Sequence, residues 1–238
     1  MFPGLPAAFW KAISEMTSPI VSSRETRLRI SEIFYSLQGE STSSGQPTLF
    51  IRLTGCPLRC HYCDTEYAFH GGETFELAEI LGKVSTYHPQ MICVTGGEPL
   101  AQPSCLSLLT ALCDAGYPVS LETSGAMTID AVDPRVRIVM DLKTPDSGEA
   151  ERNLIGNIIH LKPIDEIKFV ICSEQDYHWS KNLLAEHQLD KRVASVLFSP
   201  AADTIEAERL AALILQDNLP VRMQLQLHKL IWGNRSGV

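Results

Sequence analysis

From Leu28 onward, segments with the alternation typical of β-strands take turns with segments whose apolar residues recur at helical spacing. The predicted strands span residues 28–37, 48–53, 91–96, 118–123, 136–143, 166–172, 194–200 and 221–227. The predicted helices span residues 75–87, 104–116, 173–187 and 203–218. This order predicts an α/β fold with a mainly parallel sheet, and the strand–helix units suffice for a full or partial (β/α)6 barrel.

The chain's domain organisation, net charge and apolar runs limit the classes of function. Residues 1–24, interrupted by three prolines, are predicted to be an N-terminal extension, flexible or simply an early start, and residues 25–238 one domain. The formal charge of −8 makes a nucleic-acid backbone an unexpected partner. No apolar run is long enough for a membrane span and the first residues lack the pattern of a signal peptide, so we expect a cytoplasmic protein.

Polar residues close several of the predicted strands. The segments are Gly96–Glu98, Glu122–Ser124, Asp141 with Lys143, and Ser199. Because the chemistry of such folds lies at the C-terminal ends of parallel strands, we expect these distant segments to meet at one rim.

The seven cysteines are unevenly distributed. Cys56, Cys60 and Cys63 crowd into the stretch CPLRCHYC, directly after a predicted strand. The other four lie in apolar segments and are predicted to be buried fillers of the core: Cys93, Cys105, Cys113 and Cys172. In a reducing compartment, a crowded set of thiols indicates a metal or redox site rather than a disulfide framework.

Four interpretations of the C-x3-C-x2-C loop compete. A structural zinc site needs a fourth ligand, which here would be His61 or a distant cysteine. A thioredoxin-like redox pair would use Cys60 and Cys63 and leave Cys56 unexplained. The third interpretation, chance clustering of core cysteines, does not account for the polar neighbours. The fourth is a cubane iron–sulfur cluster with three cysteine ligands and one open iron.

The same loop resembles the signature of the radical S-adenosylmethionine (SAM) superfamily. Tyr62 matches the aromatic position that packs near the adenine of SAM, and Gly96–Pro99 matches the GGEP motif that closes a strand in these proteins. The resemblance implies a partial or modified (β/α)6 barrel that holds a [4Fe-4S] cluster. In the superfamily, the open iron chelates SAM, and an electron from the cluster cleaves SAM to a 5′-deoxyadenosyl radical.

Further motifs run along the chain: SLQGE (36–40), FIRLTGC (50–56), CDT (63–65), TGGEP (95–99), LETSG (121–125), DLK (141–143), KFV (168–170), FSP (198–200) and QLHK (226–229). This set resembles one family within the superfamily, the 7-carboxy-7-deazaguanine synthases. The resemblance extends from about Leu28 to Trp232. The residues after CDT are few, so a large insertion carried there by some relatives is absent, and the extension at residues 1–24 lies outside the resemblance.

The resemblance implies a reaction and its partners. The family contracts the ring of 6-carboxy-5,6,7,8-tetrahydropterin to 7-carboxy-7-deazaguanine with release of ammonia, in queuosine and deazapurine biosynthesis. A substrate hydrogen is removed at C6, SAM is regenerated, and a Mg²⁺ ion assists the rearrangement. The family draws electrons from flavodoxin or ferredoxin and is commonly homodimeric.

Roles of individual residues follow from the same motifs. The cluster ligands would be Cys56, Cys60 and Cys63, and the Mg²⁺ ligand Thr65. The SAM contacts would be Tyr62, Asp64, Gly97, Glu98, Glu122, Ser124, Asp141, Leu142, Lys143, Ser199, Pro200, Ala201 and Ala202. The substrate contacts would be Leu37, Gln38, Gly39, Glu40, Arg52, Thr95 and His228.

Physical chemistry supports some of these assignments. A guanidinium fork such as that of Arg52 suits a carboxylate, and Glu98 can accept hydrogen bonds from a cationic amine. Mg²⁺ prefers oxygen ligands and keeps several waters, so one hydroxyl plus substrate oxygens is a reasonable site. Two alternatives stay open: a radical SAM activating enzyme that acts on a protein, and a non-catalytic metal-binding protein on the same scaffold.

Overall fold

The computed structural model describes residues 26–202, 204–233, 235 and 237–238. The predicted extension at residues 1–24 lies outside the described residues. Within them, nine strands form one sheet: β1 (Arg27–Leu37), β2 (Pro47–Leu53), β3 (Glu73–Glu76), β4 (Ile92–Gly96), β5 (Val119–Thr123), β6 (Arg137–Asp141), β7 (Glu166–Ile171), β8 (Ser195–Pro200) and β9 (Arg222–Met223).

The sheet is mainly parallel and open. Its strand order is β3-β1-β2-β4-β5-β6-β7-β8-β9. Strand β1 pairs antiparallel with β2 and β3, and every pairing from β2 to β9 is parallel. The predicted α/β class is confirmed, and the arrangement is a partial barrel with free edges at β3 and β9.

Five α-helices occur among the described residues: α1 (Leu77–Tyr87), α2 (Ser104–Asp114), α3 (Glu174–His187), α4 (Ala207–Gln216) and α5 (Leu227–Trp232). The first four confirm the predicted helices with shifts at their ends. Ser173 precedes helix α3 as its N-cap, and its side chain accepts a hydrogen bond from the Asp176 amide. None of the described helices has the length and apolar character that a bilayer crossing needs.

One prediction of secondary structure was wrong. The strand predicted at residues 221–227 is only Arg222–Met223, because the chain then turns into α5. No α-helix was predicted in the connections from β5 to β6 and from β6 to β7, and the structure forms none there. Pro145, Gly148 and Gly156 interrupt the second connection, which forms only short 3-10 segments.

The core lies between the sheet and the helices. Helix α1 buries Leu77, Ile80, Leu81 and Val84 on one face, at the i, i+3, i+4 and i+7 positions of an amphipathic helix. Full burial of such a side chain contributes about 1.5–3 kcal/mol. This packing holds the helices against the sheet, and the sheet keeps the C-terminal ends of its strands in place.

The loop between β1 and β2, residues 38–46, extends across the sheet. Its Gln38 amide donates to Glu122 at the end of β5, and Glu40 binds Lys168 in the middle of β7. Thr42 donates to Glu166 at the start of β7 through its backbone amide and its hydroxyl. The loop therefore brings residues of the first hairpin to strands that are distant in sequence.

Candidate active site

A cavity of about 500 Å³ lies at the C-terminal ends of the parallel strands. The segments that close β4, β5, β6 and β8 line it together with the cysteine loop, so the expected rim is formed. All the predicted site residues line this cavity except Glu98 and Leu142. The side chain of Leu142 is fully buried in the core, as expected for the residue that follows a central strand.

Glu98 lies beneath the cavity rather than in it. The residue is fully buried, and its carboxylate accepts hydrogen bonds from the Ser124 amide at 2.7 Å, the Ser124 hydroxyl at 2.5 Å and the Thr123 hydroxyl at 2.9 Å. The Leu100 amide adds a fourth at 3.0 Å. The carboxylate therefore joins the GGEP and LETSG segments, and the assignment of Glu98 to SAM stays a prediction.

The three cysteines follow β2 and are partly buried along one wall of the cavity. Burial raises the pKa of Cys56 and raises the pKa of Cys60 to about 11. Burial therefore disfavours the thiolate form at both positions, and a bound cation would favour it. Across the described ranges no three His, Cys, Asp or Glu side chains converge on a single ion. A cubane does not require such convergence, because each thiolate binds a different iron.

The cysteine loop is held mainly by hydrogen bonds to its backbone. The Arg59 guanidinium lies over the Phe69 ring and donates to the carbonyls of Cys56 at 2.8 Å and Leu58 at 2.6 Å. The Arg59 amide donates to the Glu149 carboxylate at 2.6 Å. These contacts position the first half of the loop.

The second half of the loop rests on the segment that follows β6. The His61 amide donates to the Ser147 carbonyl at 3.0 Å, and His61 Nδ1 lies 3.1 Å from the Asp146 carbonyl. Gly148, with φ 78°, lies so close that an added Cβ would be 2.9 Å from the His61 ring. Asp176, fully buried, holds this segment by accepting hydrogen bonds from the Thr144 hydroxyl and the Asp146 amide, each at 3.0 Å.

Gly97 of the GGEP motif also supports the cysteine loop. A Cβ at this position would lie 2.4 Å from the Gly55 carbonyl oxygen and 2.6 Å from the Cys56 Cβ. The Glu98 amide donates to the Gly55 carbonyl at 2.8 Å. Glycine is required here because two backbones approach each other closely, which is a packing reason in addition to the expected approach to SAM.

A second wall, adjacent to the cysteine loop, carries a cluster of paired charges. Lys168 Nζ lies 2.6 Å from Glu40 and 3.2 Å from Asp141, and Lys143 Nζ lies 3.1 Å from Asp141. Burial alone would raise the pKa of both carboxyls, but the adjacent ammonium groups hold the pKa of Glu40 and of Asp141 below the ordinary value. We call these four residues the charge cluster.

Lys168 was not among the predicted site residues. Its signal in the sequence was a lysine flanked by Ile167 and Phe169 in a central strand, where alternation directs it to the face opposite to the core.

The C-terminal helix completes this wall. The Gln226 amide donates to Glu40 at 2.6 Å and to Asp64 at 3.3 Å, and Lys229 Nζ lies 3.2 Å from Asp64. Gly39 packs on the imidazole of His228, since an added Cβ would overlap Nδ1 at 2.0 Å. Helix α5 thus connects the loop after β1 with the residue that follows the last cysteine.

Two buried polar atoms that line the cavity have no hydrogen-bond partner in the described structure. They are the Tyr62 hydroxyl and Asp141 Oδ1. Burial raises the pKa of the Tyr62 hydroxyl, and Lys143 Nζ lies 5.7 Å from the centre of its ring. An unpaired buried donor or acceptor is unfavourable, so these atoms are suited to a polar ligand in the cavity. Together with the three thiols that line the same cavity, the donor set fits a cluster and SAM.

The comparisons with known proteins agree with this geometry. The family model described as the radical SAM superfamily matches residues 50–169. The chain is 46% identical over 214 residues to the 7-carboxy-7-deazaguanine synthase of Chlorobaculum tepidum, covering 89% of this chain and 97% of that protein. The corresponding enzyme of Koribacter versatilis is 40% identical, with 86% and 97% covered. The crystal structure of QueE from Escherichia coli superposes with a TM-score of 0.71 at 25% identity, with 85% and 95% covered.

The protein is therefore a radical SAM protein, a class that uses a [4Fe-4S] cluster and SAM. Within this class the chain belongs to the family of the 7-carboxy-7-deazaguanine synthases. The resemblance stated from the motifs is confirmed, and a carbon–nitrogen lyase is the enzyme class of the family. The individual roles of the cavity residues remain predictions.

Proposed function

We propose that this chain catalyses the radical SAM ring contraction of 6-carboxy-5,6,7,8-tetrahydropterin to 7-carboxy-7-deazaguanine, with release of ammonia. The observation that carries the proposal is that one cavity of about 500 Å³ is lined both by the cysteine loop and by amide, carboxylate and guanidinium groups. The relatives named above are called 7-carboxy-7-deazaguanine synthases. A bicyclic pterin and SAM are both polar molecules, and a cavity of this size with polar groups in its lining suits the binding of small molecules of this kind.

Cys56, Cys60 and Cys63 would hold the cluster, and SAM bound to it would supply the radical that starts the reaction. The unpaired Tyr62 hydroxyl and Asp141 Oδ1 lie where SAM would be expected, beside the loop after β6. Ser124 and the Ser199–Ala202 segment line the same cavity. These groups bind and orient SAM in the proposal, while Glu98 acts through Ser124.

The substrate end is built around Glu122. Its carboxylate accepts hydrogen bonds from the Gln38 amide at 3.2 Å and the Thr95 hydroxyl at 3.0 Å, and it forms no ion pair with any described residue. A carboxylate held by neutral donors can still accept N–H groups, such as those on the aminopyrimidine edge of a pterin. The sequence placed Glu122 with the SAM contacts, and its neighbours Gln38 and Thr95 favour the substrate instead.

The proposed Mg²⁺ site is at Thr65. Its hydroxyl lines the cavity and lies 3.8 Å from Cys63 Sγ, next to the cluster ligands. The neighbouring Asp64 carboxylate is already bound by Gln226 and Lys229. A hydroxyl, substrate oxygens and waters suit Mg²⁺, which prefers oxygen ligands. The proposal also includes a homodimer in the cytoplasm that takes its electron from flavodoxin or ferredoxin.

The test is an anaerobic assay. The protein is reconstituted with iron and sulfide and given SAM, a reductant, Mg²⁺ and the carboxytetrahydropterin, and the product is measured by mass spectrometry. We expect 7-carboxy-7-deazaguanine and ammonia in equal amounts. Thr65→Ala and removal of Mg²⁺ should each lower the rate, while Thr86→Ala, an exposed threonine on α1, should leave it unchanged.

Two results would contradict the proposal in different ways. Cleavage of SAM to 5′-deoxyadenosine without product would retain the radical SAM class and exclude this substrate. A full rate for Thr65→Ala, with the same dependence on Mg²⁺, would exclude Thr65 as the metal ligand while leaving the reaction in place.

A further inference from the structure

A β-bulge places a carboxylate opposite Arg52. In the pairing of β1 with β2, Ile30 faces Leu53 and Glu32 faces Arg52, so Ser31 is the extra residue on β1. Bulges of this kind redirect side chains and occur beside active sites. The irregularity thus aligns Glu32 with the residue that the family resemblance assigned to a substrate carboxylate.

Glu32 binds Arg52 together with a second residue. Glu32 Oε1 accepts hydrogen bonds from Arg52 Nε at 2.6 Å and from the Tyr67 hydroxyl at 2.8 Å. The Arg52 guanidinium carbon lies 5.7 Å from the centre of the Phe34 ring and 5.9 Å from that of Tyr67. The Arg52 and Glu32 side chains are only 13% and 22% exposed. One carboxylate and two rings therefore restrict the orientation of the guanidinium.

This arrangement uses one part of the guanidinium and leaves another available. Arginine has five N–H donors in a planar fork, and Glu32 takes the donor on Nε. The two terminal nitrogens form no hydrogen bond with the part of the chain that is described, and Arg52 lines the cavity. The edge formed by these nitrogens is the one that binds a carboxylate through two parallel hydrogen bonds.

We propose that Glu32 and Tyr67 are positioning residues that orient Arg52 toward the ring carboxylate of the substrate, and thereby determine the specificity for a carboxylated pterin. The proposal rests on the proposed function and deepens it. Without Glu32 the Nε donor is free and the guanidinium can rotate on its long side chain. A carboxylate would then bind through a mixture of orientations, which weakens binding and displaces the ring from its reactive position.

The experiment compares Glu32→Ala, Glu32→Gln and Tyr67→Phe with the wild-type enzyme. Each is assayed for kcat and KM with the 6-carboxy substrate, and for binding of that pterin and of its 6-carboxamide analogue by calorimetry. We expect Glu32→Ala to lower kcat/KM by about 10- to 100-fold, mostly through KM, since misplacement of a bound group has effects of this order. Glu32→Gln should retain part of the activity, because its amide oxygen can still accept the Nε hydrogen bond.

The preference for the carboxylate over the carboxamide distinguishes a positioning role of Glu32 from a merely structural one. The wild type should bind the carboxylate at least 10-fold more tightly than the carboxamide, and Glu32→Ala should lose most of that preference. Glu174→Ala, which breaks the half-exposed pair between Glu174 and Arg209 at 2.6 Å, is the matched control and should change neither quantity. Tyr67→Phe, at a half-exposed side chain, should give a change of a few fold in the same direction as Glu32→Ala.

The outcomes distinguish the two proposals. A folded Glu32→Ala variant with unchanged KM and unchanged preference for the carboxylate would overturn the positioning role. If Glu32→Ala does not fold, an unaltered preference in both Glu32→Gln and Tyr67→Phe overturns it equally. If the wild type forms no product, the proposed function fails, and the calorimetric preference still tests whether Glu32 and Tyr67 orient Arg52.

Discussion

The two walls of the cavity are held in place by different physics. The cysteine loop is positioned largely through backbone groups and close glycine contacts, by Glu149, Ser147 and Gly97. The charge cluster is positioned by side-chain ion pairs between residues far apart in sequence, such as Lys168 with Glu40. In the cysteine loop, most hydrogen bonds have a backbone group as at least one partner, whereas the charge cluster depends on each charged side chain having its partner. The walls should therefore respond differently to mutation.

The largest effect is expected at the cysteine loop. Cys60→Ala removes a proposed cluster ligand and should abolish product formation and lower the iron content of the reconstituted protein, with little change in the free energy of unfolding of the metal-free chain. Cys113→Ala, a partly buried cysteine on α2, is the control and should retain iron and activity. Iron analysis and the product assay measure both; normal activity in Cys60→Ala would exclude this residue as a ligand.

The charge cluster should show the largest loss of stability. Lys168→Met leaves Glu40 and Asp141 without the ammonium group between them, and removal of one partner from a buried pair costs about 3–5 kcal/mol. Lys181→Met breaks the more exposed pair with Asp217 and should cost at most about 1 kcal/mol. Urea denaturation of the metal-free proteins measures both values. Equal losses would show that the cluster is no more important for folding than a surface pair.

Backbone packing of the cysteine loop can be tested with two glycines. Gly148→Ala requires a left-handed conformation at φ 78° and a Cβ 2.9 Å from the His61 ring, so we expect a loss of about 1–3 kcal/mol and faster loss of iron to a chelator. Gly82→Ala, inside α1 with open space around the added Cβ, should stabilise the protein by about 0.5–1 kcal/mol. Urea denaturation measures the free energy of unfolding of both variants, and a chelator assay measures their rates of iron release. A Gly148→Ala variant with unchanged stability and unchanged iron release would contradict the close packing.

The smallest effect is a dependence on acid pH. The pKa values of Glu40 and Asp141 are lower in the folded protein than the ordinary values near 4, because the adjacent lysines outweigh burial. Their contribution to stability is complete above about pH 5 and is lost as the pH falls through the folded pKa values. Denaturation between pH 3 and 7 should show this loss in the wild type and a smaller one in Lys168→Met. If the stability of both proteins fell equally with pH, the assigned role of Glu40 and Asp141 would be contradicted.

The same contrast explains what could be predicted from the sequence. The cysteine loop, GGEP and LETSG are continuous motifs, so their meeting at the ends of parallel strands followed from the alternation of strands and helices. Lys168, Glu32 and Tyr67 were not identified as site residues, because their partners are set by strand register, a bulge and the path of a loop. Glu98 was assigned to SAM from the GGEP motif, and only the structure shows that Thr123, Ser124 and Leu100 donate hydrogen bonds to its carboxylate.

The end of the chain shows the same limit. The alternating residues 221–227 predicted a strand, and the segment turns into α5 after two paired residues. Contacts that alternation cannot reveal lie at this turn: Gln226 binds Glu40 and Asp64, and His228 packs on Gly39. Tertiary contacts of a short segment at the edge of a sheet outweigh its local preference.

The most direct test of the central claim is whether the two walls act on one pair of bound molecules. The claim requires SAM at the cysteine loop and the pterin beside Arg52 and Glu122 to lie within reach of each other in the same cavity. The measurement is mass spectrometry of SAM recovered after anaerobic turnover with substrate deuterated at C6. The account predicts deuterium in the recovered SAM together with 7-carboxy-7-deazaguanine. Product formed with no deuterium in SAM would contradict it.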